Sequence, residues 1–437
     1  MAIPHDQPAN ATTTATTPSR QRIWRHPAWL AVVTIVILAP LWHLHVINRD
    51  MPPAKADFVP IWVAARTALL GGNPYSDATT RQIQTAYYGR PLSASEARQV
   101  NKMAFAYPAH TLILFAACAP FSWALVRGFL LILLPLLTAL AVFLWLRIAS
   151  IRLSRGSTAL VLTVAMASWP VLWGIHQIQP TLIVAALVAA GCYFVQRGSF
   201  INAGFVFAIA TIKPQLVAPL IVWLILWTLL RREWTFIVSF AVALSVMLAG
   251  AARLAPGWFV HWRVATADYA VYRHLKLELA FLFGRWPALL VCALIGCGAA
   301  VALWRGRRCA PDSREFASMC ALTLAATVCC LPTELAMTYN YVLLLPACLI
   351  LIFSEPQSTF GASVRRFAFA QLVLDFVAVL VAVCGETLFR PSNSWDSLPF
   401  MDFLLPTLAA TYLFLEALHS PVSVLSDQQA RLEPVAT

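Results

Sequence analysis

Charged side chains are scarce in this chain, so the few that stand beside its apolar stretches are candidates for chemistry. Only 11% of the 437 residues are Asp, Glu, Lys or Arg. Asp57 directly precedes a helical pattern in the first hydrophilic stretch after an apolar segment. A carboxylate at such a boundary can act as a general base that removes a proton from a hydroxyl group. Two alternatives stay open: Asp57 caps the following helix, or Asp50 carries the chemistry instead.

Lys213 is a cation between two apolar segments, and the next residue, Pro214, interrupts the helical pattern. An ionisable residue at membrane depth is a candidate functional residue. Its ammonium group can stabilise negative charge that develops on a leaving group. A lysine that merely extends to the lipid headgroups is the alternative.

Further polar side chains lie beside the apolar segments, where they can bind a ligand or satisfy one another at the membrane interface. They are His110, His176 with Gln177 and Gln179, and Tyr339 with Asn340. A hydrophilic stretch over 253–285 adds aromatic and cationic side chains. Such a mixture suits a carbohydrate or lipid-phosphate surface and equally an ordinary interfacial aromatic belt.

Motifs of the common metal and cofactor sites are missing. The sequence has no DxD sugar-nucleotide motif, no Walker loop, no GxGxxG and no HExxH. Its ten cysteines form no CxxC pair and lie almost all within or beside apolar segments, which is typical of small buried hydrophobic residues. We therefore predict no cofactor and no metal ion.

The composition excludes the ordinary soluble class, because 60% of the residues are hydrophobic and the mean hydropathy is +0.73. Apolar stretches of about 20 residues recur, each long enough to cross the bilayer as a helix. The net charge is +12, but the cations are dispersed between the apolar segments. This dispersal is typical of membrane orientation and not of a nucleic-acid surface. The predicted class is an all-α polytopic membrane protein.

The apolar segments also divide the chain. We predict a disordered cytosolic N-terminus over 1–27, one transmembrane domain over 28–418 and a cytosolic tail over 419–437. Two long outer loops interrupt the domain, 48–120 with surface-lying helices and 253–285. The apolar segments lie at 28–47, 108–120, 124–146, 157–175, 180–196, 200–213, 214–230, 234–252, 286–304, 316–331, 339–353, 367–388 and 398–418.

The short loops differ in charge. One alternating set holds twelve arginines, whereas the opposite set holds only Lys213 and Arg390. Positive residues mark cytosolic loops, so both termini are predicted in the cytosol and the stretch 48–107 outside. Residues 108–146 must then cross an odd number of times. The segment 108–120 is therefore predicted to be surface-lying or re-entrant, which leaves about twelve spans.

Several motifs together resemble a known family. In the first outer loop they are Asp57-Phe58, Ala64-Ala65-Arg66 and the run Leu69-Leu70-Gly71-Gly72-Asn73-Pro74-Tyr75. Later matches are Phe105-Ala106-Tyr107-Pro108, Gln177 and Lys213-Pro214-Gln215. Over residues 55–230 the chain is similar to glycosyltransferase family 87, the polyprenyl-phosphate-mannose-dependent α-mannosyltransferases of the GT-C superfamily. It departs from the family pattern at Ala109-His110, at His176 to Pro180 and at Tyr339-Asn340-Tyr341.

The resemblance implies a GT-C-type fold and an inverting transfer of a sugar, with mannose favoured, from a polyprenyl-phosphate donor to a lipid or glycan acceptor. It implies that Asp57 is the general base, that Lys213 and Gln215 hold the donor phosphate, and that the active site faces outward from a bacterial plasma membrane. The substrate pocket implied in this way contains Tyr75, Tyr107, His110, His176, Gln177, Gln179, Tyr339 and Asn340.

Two other classes stay open. A transporter or lipid-carrier flippase would contain internal repeats with paired broken helices around a midplane site. The sequence has no convincing repeat, and its polar residues gather in outer turns; Asp375, within an apolar segment, is the one residue that favours transport. A non-catalytic assembly scaffold is the third possibility.

Overall fold

The computed structural model describes residues 55–98, 101–272, 284–331 and 338–353. In these ranges the regular structure is helical and contains no strand. The predicted spans at 28–47, 367–388 and 398–418 lie outside the described residues, as do both predicted cytosolic termini. Asp50 and Asp375 also lie outside them.

Fourteen α-helices follow one another through the described ranges, and short 3₁₀ turns extend some of them. The α-helices are α1 Val59–Leu69, α2 Asp77–Tyr88, α3 His110–Phe115, α4 Trp123–Ile148, α5 Arg155–Met166, α6 Trp169–His176, α7 Pro180–Gln196, α8 Phe200–Ala210, α9 Pro214–Leu230, α10 Trp234–Leu254, α11 Trp258–Tyr272, α12 Arg285–Arg305, α13 Arg314–Cys329 and α14 Leu345–Phe353. The 3₁₀ turns are Glu96–Arg98, Ala116–Cys118, Gly306–Arg308 and Thr338–Leu344.

The helices alternate in direction between two ends of the molecule. At one end Asp57, just before α1, receives a hydrogen bond from Gln179, just before α7. At the other end Gln196, the last residue of α7, donates to the carbonyl of Ile148, the last residue of α4. Helices α4 and α7 therefore run side by side away from the Asp57 end. The 17 residues of α7 separate the two ends by about 25 Å.

Helix length decides which elements can cross a membrane unaided. Three helices are long and apolar enough: Trp123–Ile148, Trp234–Leu254 and Arg285–Arg308, the last including a 3₁₀ turn. A fourth candidate is the pair α5 and α6, which is bent by 60°. The structure thus supports an all-helical membrane protein, whereas the number of about twelve spans stays a prediction.

Three predicted segments differ in detail. Residues 157–175 do not form one straight helix, because Pro170 restarts the helix as α6 after Ser168. The span predicted over 200–213 is the 11-residue helix α8, only about 16 Å long. The outer loop predicted at 253–285 contains the 15-residue helix α11, which starts after Pro256 and Gly257 end α10.

The segment 108–120, predicted to be surface-lying or re-entrant, forms the six-residue helix α3 followed by the 3₁₀ turn Ala116–Cys118. Neither is long enough to cross a bilayer. Both pack against α1. Residues 108–120 therefore do not form a spanning helix, and the outward orientation of this segment stays a prediction.

Arginines collect at the end opposite Asp57. The short connections there and the helix ends beside them carry ten of them, whereas at the Asp57 end the turns before α7 and α9 carry only Lys213 among the described residues, and Arg253 lies in the last turn of α10. This agrees with the alternation predicted from the sequence. The ten are Arg147, Arg152, Arg155, Arg197, Arg231, Arg232, Arg305, Arg307, Arg308 and Arg314.

Helices α8 and α10 pack closely together at Gly204. A Cβ atom there would lie 2.5 Å from the carbonyl oxygen of Phe236 and 2.7 Å from the amide nitrogen of Phe240. Both are backbone atoms, so the clash cannot be relieved by a side-chain rotation. Gly204→Ala should lower the free energy of unfolding by about 1–3 kcal/mol, measured as a lower midpoint of thermal unfolding in detergent.

Gly296→Ala in α12 is the matched control. A Cβ atom at Gly296 would meet nothing within 4 Å, so the substitution brings only the higher helix propensity of alanine. An unfolding midpoint for Gly204→Ala as high as that of Gly296→Ala would contradict the close approach of α8 and α10.

Candidate functional site

Two helices that start with proline position the central polar side chains. Gln179 and Lys213 are the N-cap residues of α7 and α9, and Pro180 and Pro214 follow them as the first helical residues. Proline suits that position because its fixed φ matches the helix and its missing N–H has no partner there. Both side chains are buried, with exposed fractions of 1% for Gln179 and 5% for Lys213.

Asp57 is joined to the turn between α6 and α7 through both its main chain and its side chain. Its amide donates to the carbonyl oxygen of Gln177 at 2.9 Å. Its carboxylate oxygen Oδ2 accepts a hydrogen bond from Nε2 of Gln179. Phe58, and not Asp57, is the N-cap residue of α1.

Lys213 organises the rest of the cluster. Its Nζ donates to Oε1 of Gln179 at 2.8 Å and to Oγ1 of Thr181 at 2.7 Å. The Thr181 hydroxyl in turn donates to Oδ1 of Asn340 at 2.8 Å. The Gln179 amide therefore bridges the ammonium of Lys213 and the carboxylate of Asp57, with its oxygen towards the cation and its nitrogen towards the anion.

Two aromatic rings flank the ammonium group. Nζ of Lys213 lies 5.1 Å from the ring centroid of Tyr339 and 5.9 Å from that of Tyr107. Both distances are within the range of cation–π attraction. An ammonium group has three N–H donors, and the described hydrogen bonds use two of them.

The surroundings also alter proton affinities in the turns. Burial raises the pKa of Tyr107, and the nearby Asp57 and Tyr269 raise it further. An anion bound beside Lys213 would favour its charged form.

Two other predicted residues, Tyr75 and His110, contact the segments that carry Tyr107 and Lys213. The Tyr75 hydroxyl donates to the carbonyl oxygen of Tyr107 at 2.7 Å, so Tyr75 supports the Tyr107 backbone. Nε2 of His110 lies 3.2 Å from the hydroxyl of Thr211, and His110 therefore packs against the turn that carries Lys213.

Three predicted residues contribute less through their side chains. His176, the last residue of α6, is buried, and its ring centroid is 5.2 Å from that of Trp173. Gln177 contacts Asp57 through its main-chain oxygen. Gln215 is half-buried in the first turn of α9 and makes no side-chain hydrogen bond to another described residue.

Sequence reasoning missed Thr181 and left two interpretations open for the stretch that contains α11, a carbohydrate or lipid-phosphate surface and an interfacial aromatic belt. Thr181 follows Pro180 in an otherwise apolar segment, so its only signal is that it stands two residues after Gln179. Helix α11 approaches the site through Trp262, whose Nε1 donates to the carbonyl oxygen of Ala106 at 3.1 Å. Tyr269 is on the same helix and raises the pKa of Tyr107 through its charge.

The described residues contain no group of three His, Cys, Asp or Glu side chains that could hold a metal ion. The only carboxylate that contacts the cluster in these ranges is Asp57, and one carboxylate with an amide and an ammonium is a poor set of ligands for a hard cation. The metal-free and cofactor-free site stays a prediction.

A family model supplies the relationship to known proteins. The model of glycosyltransferase family 87 matches residues 105–333, just over half of the chain. Comparisons with curated proteins and with solved structures each found no match. The matched range begins after Asp57 and Tyr75 and ends before Tyr339, and it includes the turns of Gln179 and Lys213.

The fold and the match define the class: this is an all-helical membrane protein that transfers glycosyl groups. The chain belongs to glycosyltransferase family 87.

Proposed function

We propose that the protein transfers a sugar, with mannose favoured, from a polyprenyl-phosphate carrier to a hydroxyl group of a lipid or glycan acceptor. The observation that carries the proposal is the bridge made by Gln179 between Asp57 and Lys213. This bridge places a base for the acceptor hydroxyl on one side of the Gln179 amide group and a cation for the leaving phosphate on the other side.

In this mechanism Asp57 removes the proton from the acceptor hydroxyl. The acceptor oxygen attacks the anomeric carbon as the bond from that carbon to the phosphate oxygen breaks. The phosphate leaves with the bonding electron pair, and Lys213 stabilises its added negative charge. Because there is one displacement, the configuration at the anomeric carbon is inverted.

The other residues bind and orient the substrates. Tyr107 and Tyr339 flank the ammonium group, where their rings exclude water from the phosphate. Asn340 and Thr181 fix the direction of Lys213 through their hydrogen bonds. Gln215 follows Lys213 by two residues, within one helical turn, and we assign it to binding the donor phosphate.

A second group of residues is assigned to the pocket wall. Tyr75 and His110 support the turns on which Tyr107 and Lys213 stand, and His176 with Gln177 completes the turn that holds Asp57.

The membrane sets the form of the donor. We assign the site to the outer face of a bacterial plasma membrane, since arginines collect at the opposite end of the molecule and such residues mark the cytosolic side. Nucleotide sugars are not expected outside the cytosol. A sugar already linked to a membrane lipid is therefore the donor that can reach this face, and its phosphate needs a cation instead of a nucleotide pocket.

The test is transfer from a labelled donor by the purified full-length protein in lipid vesicles. Polyprenyl-phosphate mannose with a radiolabelled sugar should give a labelled acceptor and free polyprenyl phosphate. The same sugar supplied as a nucleotide sugar should give neither. Transfer from the nucleotide sugar would overturn the proposed donor, and a donor that crosses the vesicle membrane chemically intact would overturn the transferase.

A further inference from the structure

A cavity at the end of the molecule opposite the candidate site has no role in the proposed transfer. Its volume is about 760 Å³, and it is open to the surroundings on one side. It lies where α4 and α7 end and α5 begins, about 25 Å from Asp57 along α7.

Three guanidinium groups from three separate segments line this cavity. Arg147 comes from the last turn of α4, Arg152 from the connection to α5, and Arg197 from the C-cap of α7. Asp312 also lines it, which leaves a formal charge of +2 for these four residues. None of the three arginines forms an ion pair with a carboxylate among the described residues.

Two of the arginines are already oriented. The guanidinium carbon of Arg147 lies 5.1 Å from the ring centroid of Phe143. That of Arg197 lies 5.3 Å from the ring of Tyr193, and Nε of Arg197 donates to the Tyr193 hydroxyl at 3.1 Å. Stacking of this kind holds the plane of the guanidinium group and leaves its outer N–H donors available to an oxyanion.

The remaining wall has a polar part, formed by Ser150, Thr158, Tyr193 and Gln196, and an apolar part. Leu144, Leu146, Ile151 and Leu153 line the same cavity, with Phe143 at the arginine side. A free phosphate ion would use only the cationic part of such a cavity, whereas an acyl chain beside the phosphate would also cover the leucines.

We propose that this cavity binds an anionic phospholipid, with the phosphate held by Arg147, Arg152 and Arg197 and the first part of an acyl chain against the apolar wall. The site is separate from the transfer site and would tie the ends of α4, α5 and α7 to the inner leaflet. Charge alone attracts a basic surface to anionic lipid; a cavity with oriented arginines selects a single lipid molecule.

The experiment uses the full-length protein in phosphatidylcholine nanodiscs with a trace of photo-crosslinkable phosphatidylglycerol. Unlabelled phosphatidylglycerol should compete for crosslinking, whereas phosphatidylcholine and inorganic phosphate should not. In Arg147→Gln/Arg152→Gln/Arg197→Gln the apparent affinity should fall about a hundredfold, since each arginine near a headgroup contributes about a fivefold factor.

The control variant is Arg232→Gln/Arg307→Gln/Arg308→Gln, which removes the same charge from the same end of the molecule but from residues that do not line the cavity. It should crosslink like the wild type, and so should Asp57→Asn. An equal loss of crosslinking in both triple variants would show that surface charge alone attracts the lipid. If inorganic phosphate competes as strongly as phosphatidylglycerol, the ligand of the cavity is a soluble anion and not a lipid. Either outcome overturns the proposal.

Arg152→Gln alone keeps the test available if the triple variant fails to fold. Arg152 is exposed and makes no hydrogen bond to another described residue, so the folded state does not depend on it. The apparent affinity of Arg152→Gln for phosphatidylglycerol should fall about fivefold. Unchanged crosslinking in this folded variant would show that Arg152 does not bind the phosphate and would contradict the proposed phosphate position.

Discussion

Replacement of Asp57 by asparagine is expected to lower kcat for sugar transfer by about 10²- to 10⁴-fold, the contribution of a positioned general base. Asparagine has nearly the same shape as aspartate, and its amide oxygen can still accept the hydrogen bond from Gln179. The backbone bond from residue 57 to Gln177 is not altered. The substitution therefore removes the proton acceptor and preserves the architecture.

The measurement separates a catalytic from a structural role. We expect KM for the donor and the midpoint of thermal unfolding to stay close to the wild-type values while kcat falls. Asp77→Asn is the matched control, because Asp77 is an exposed carboxylate in the first turn of α2, the helix that follows α1. Asp57→Asn with wild-type kcat, or a loss of activity that Asp77→Asn reproduces, would remove Asp57 as the base.

The candidate site was partly predictable because polar residues are expensive in an apolar chain. Asp57, Gln179 and Lys213 stand beside apolar segments, where an ionisable or amide group needs a partner. The sequence indicated each of them separately. That Gln179 bridges the other two depends on the order in which helices pack, and no local pattern contains that information.

Other features lacked a sequence signal altogether. A threonine near the start of an apolar helix usually bonds to its own backbone, so Thr181 did not stand out as a partner of Lys213 and Asn340. The hydropathy of 157–175 and of 200–213 predicted one full span each, because apolar length alone does not reveal a bend at Pro170 or an early helix end at Ala210. The family resemblance contributed the remaining roles, which composition and spacing could not provide.

Replacement of Lys213 by methionine has the second largest expected effect. Methionine fills a similar volume without charge, so the leaving phosphate loses its cation and kcat/KM for the donor should fall about 10²- to 10³-fold. Part of the loss should appear in KM, because the donor phosphate is present in the ground state as well as in the transition state. Lys213→Arg should recover little, since a planar guanidinium cannot reproduce the short bonds to Gln179 and Thr181.

Thermal unfolding with and without the donor distinguishes phosphate binding from a structural role for Lys213. Removing an ammonium group that is only 5% exposed leaves Oε1 of Gln179 and Oγ1 of Thr181 without their hydrogen-bond partner, and removing one member of a buried polar cluster is destabilising. Without the lipid-linked donor, Lys213→Met should therefore unfold at a lower temperature than the wild type, and the upward shift that polyprenyl-phosphate mannose gives the wild type should disappear. Lys55→Met, at an exposed lysine two residues before Asp57, should keep that shift. If Lys213→Met keeps it too, the cation does not bind the donor phosphate, and the Gln179 bridge serves only to hold the helices together.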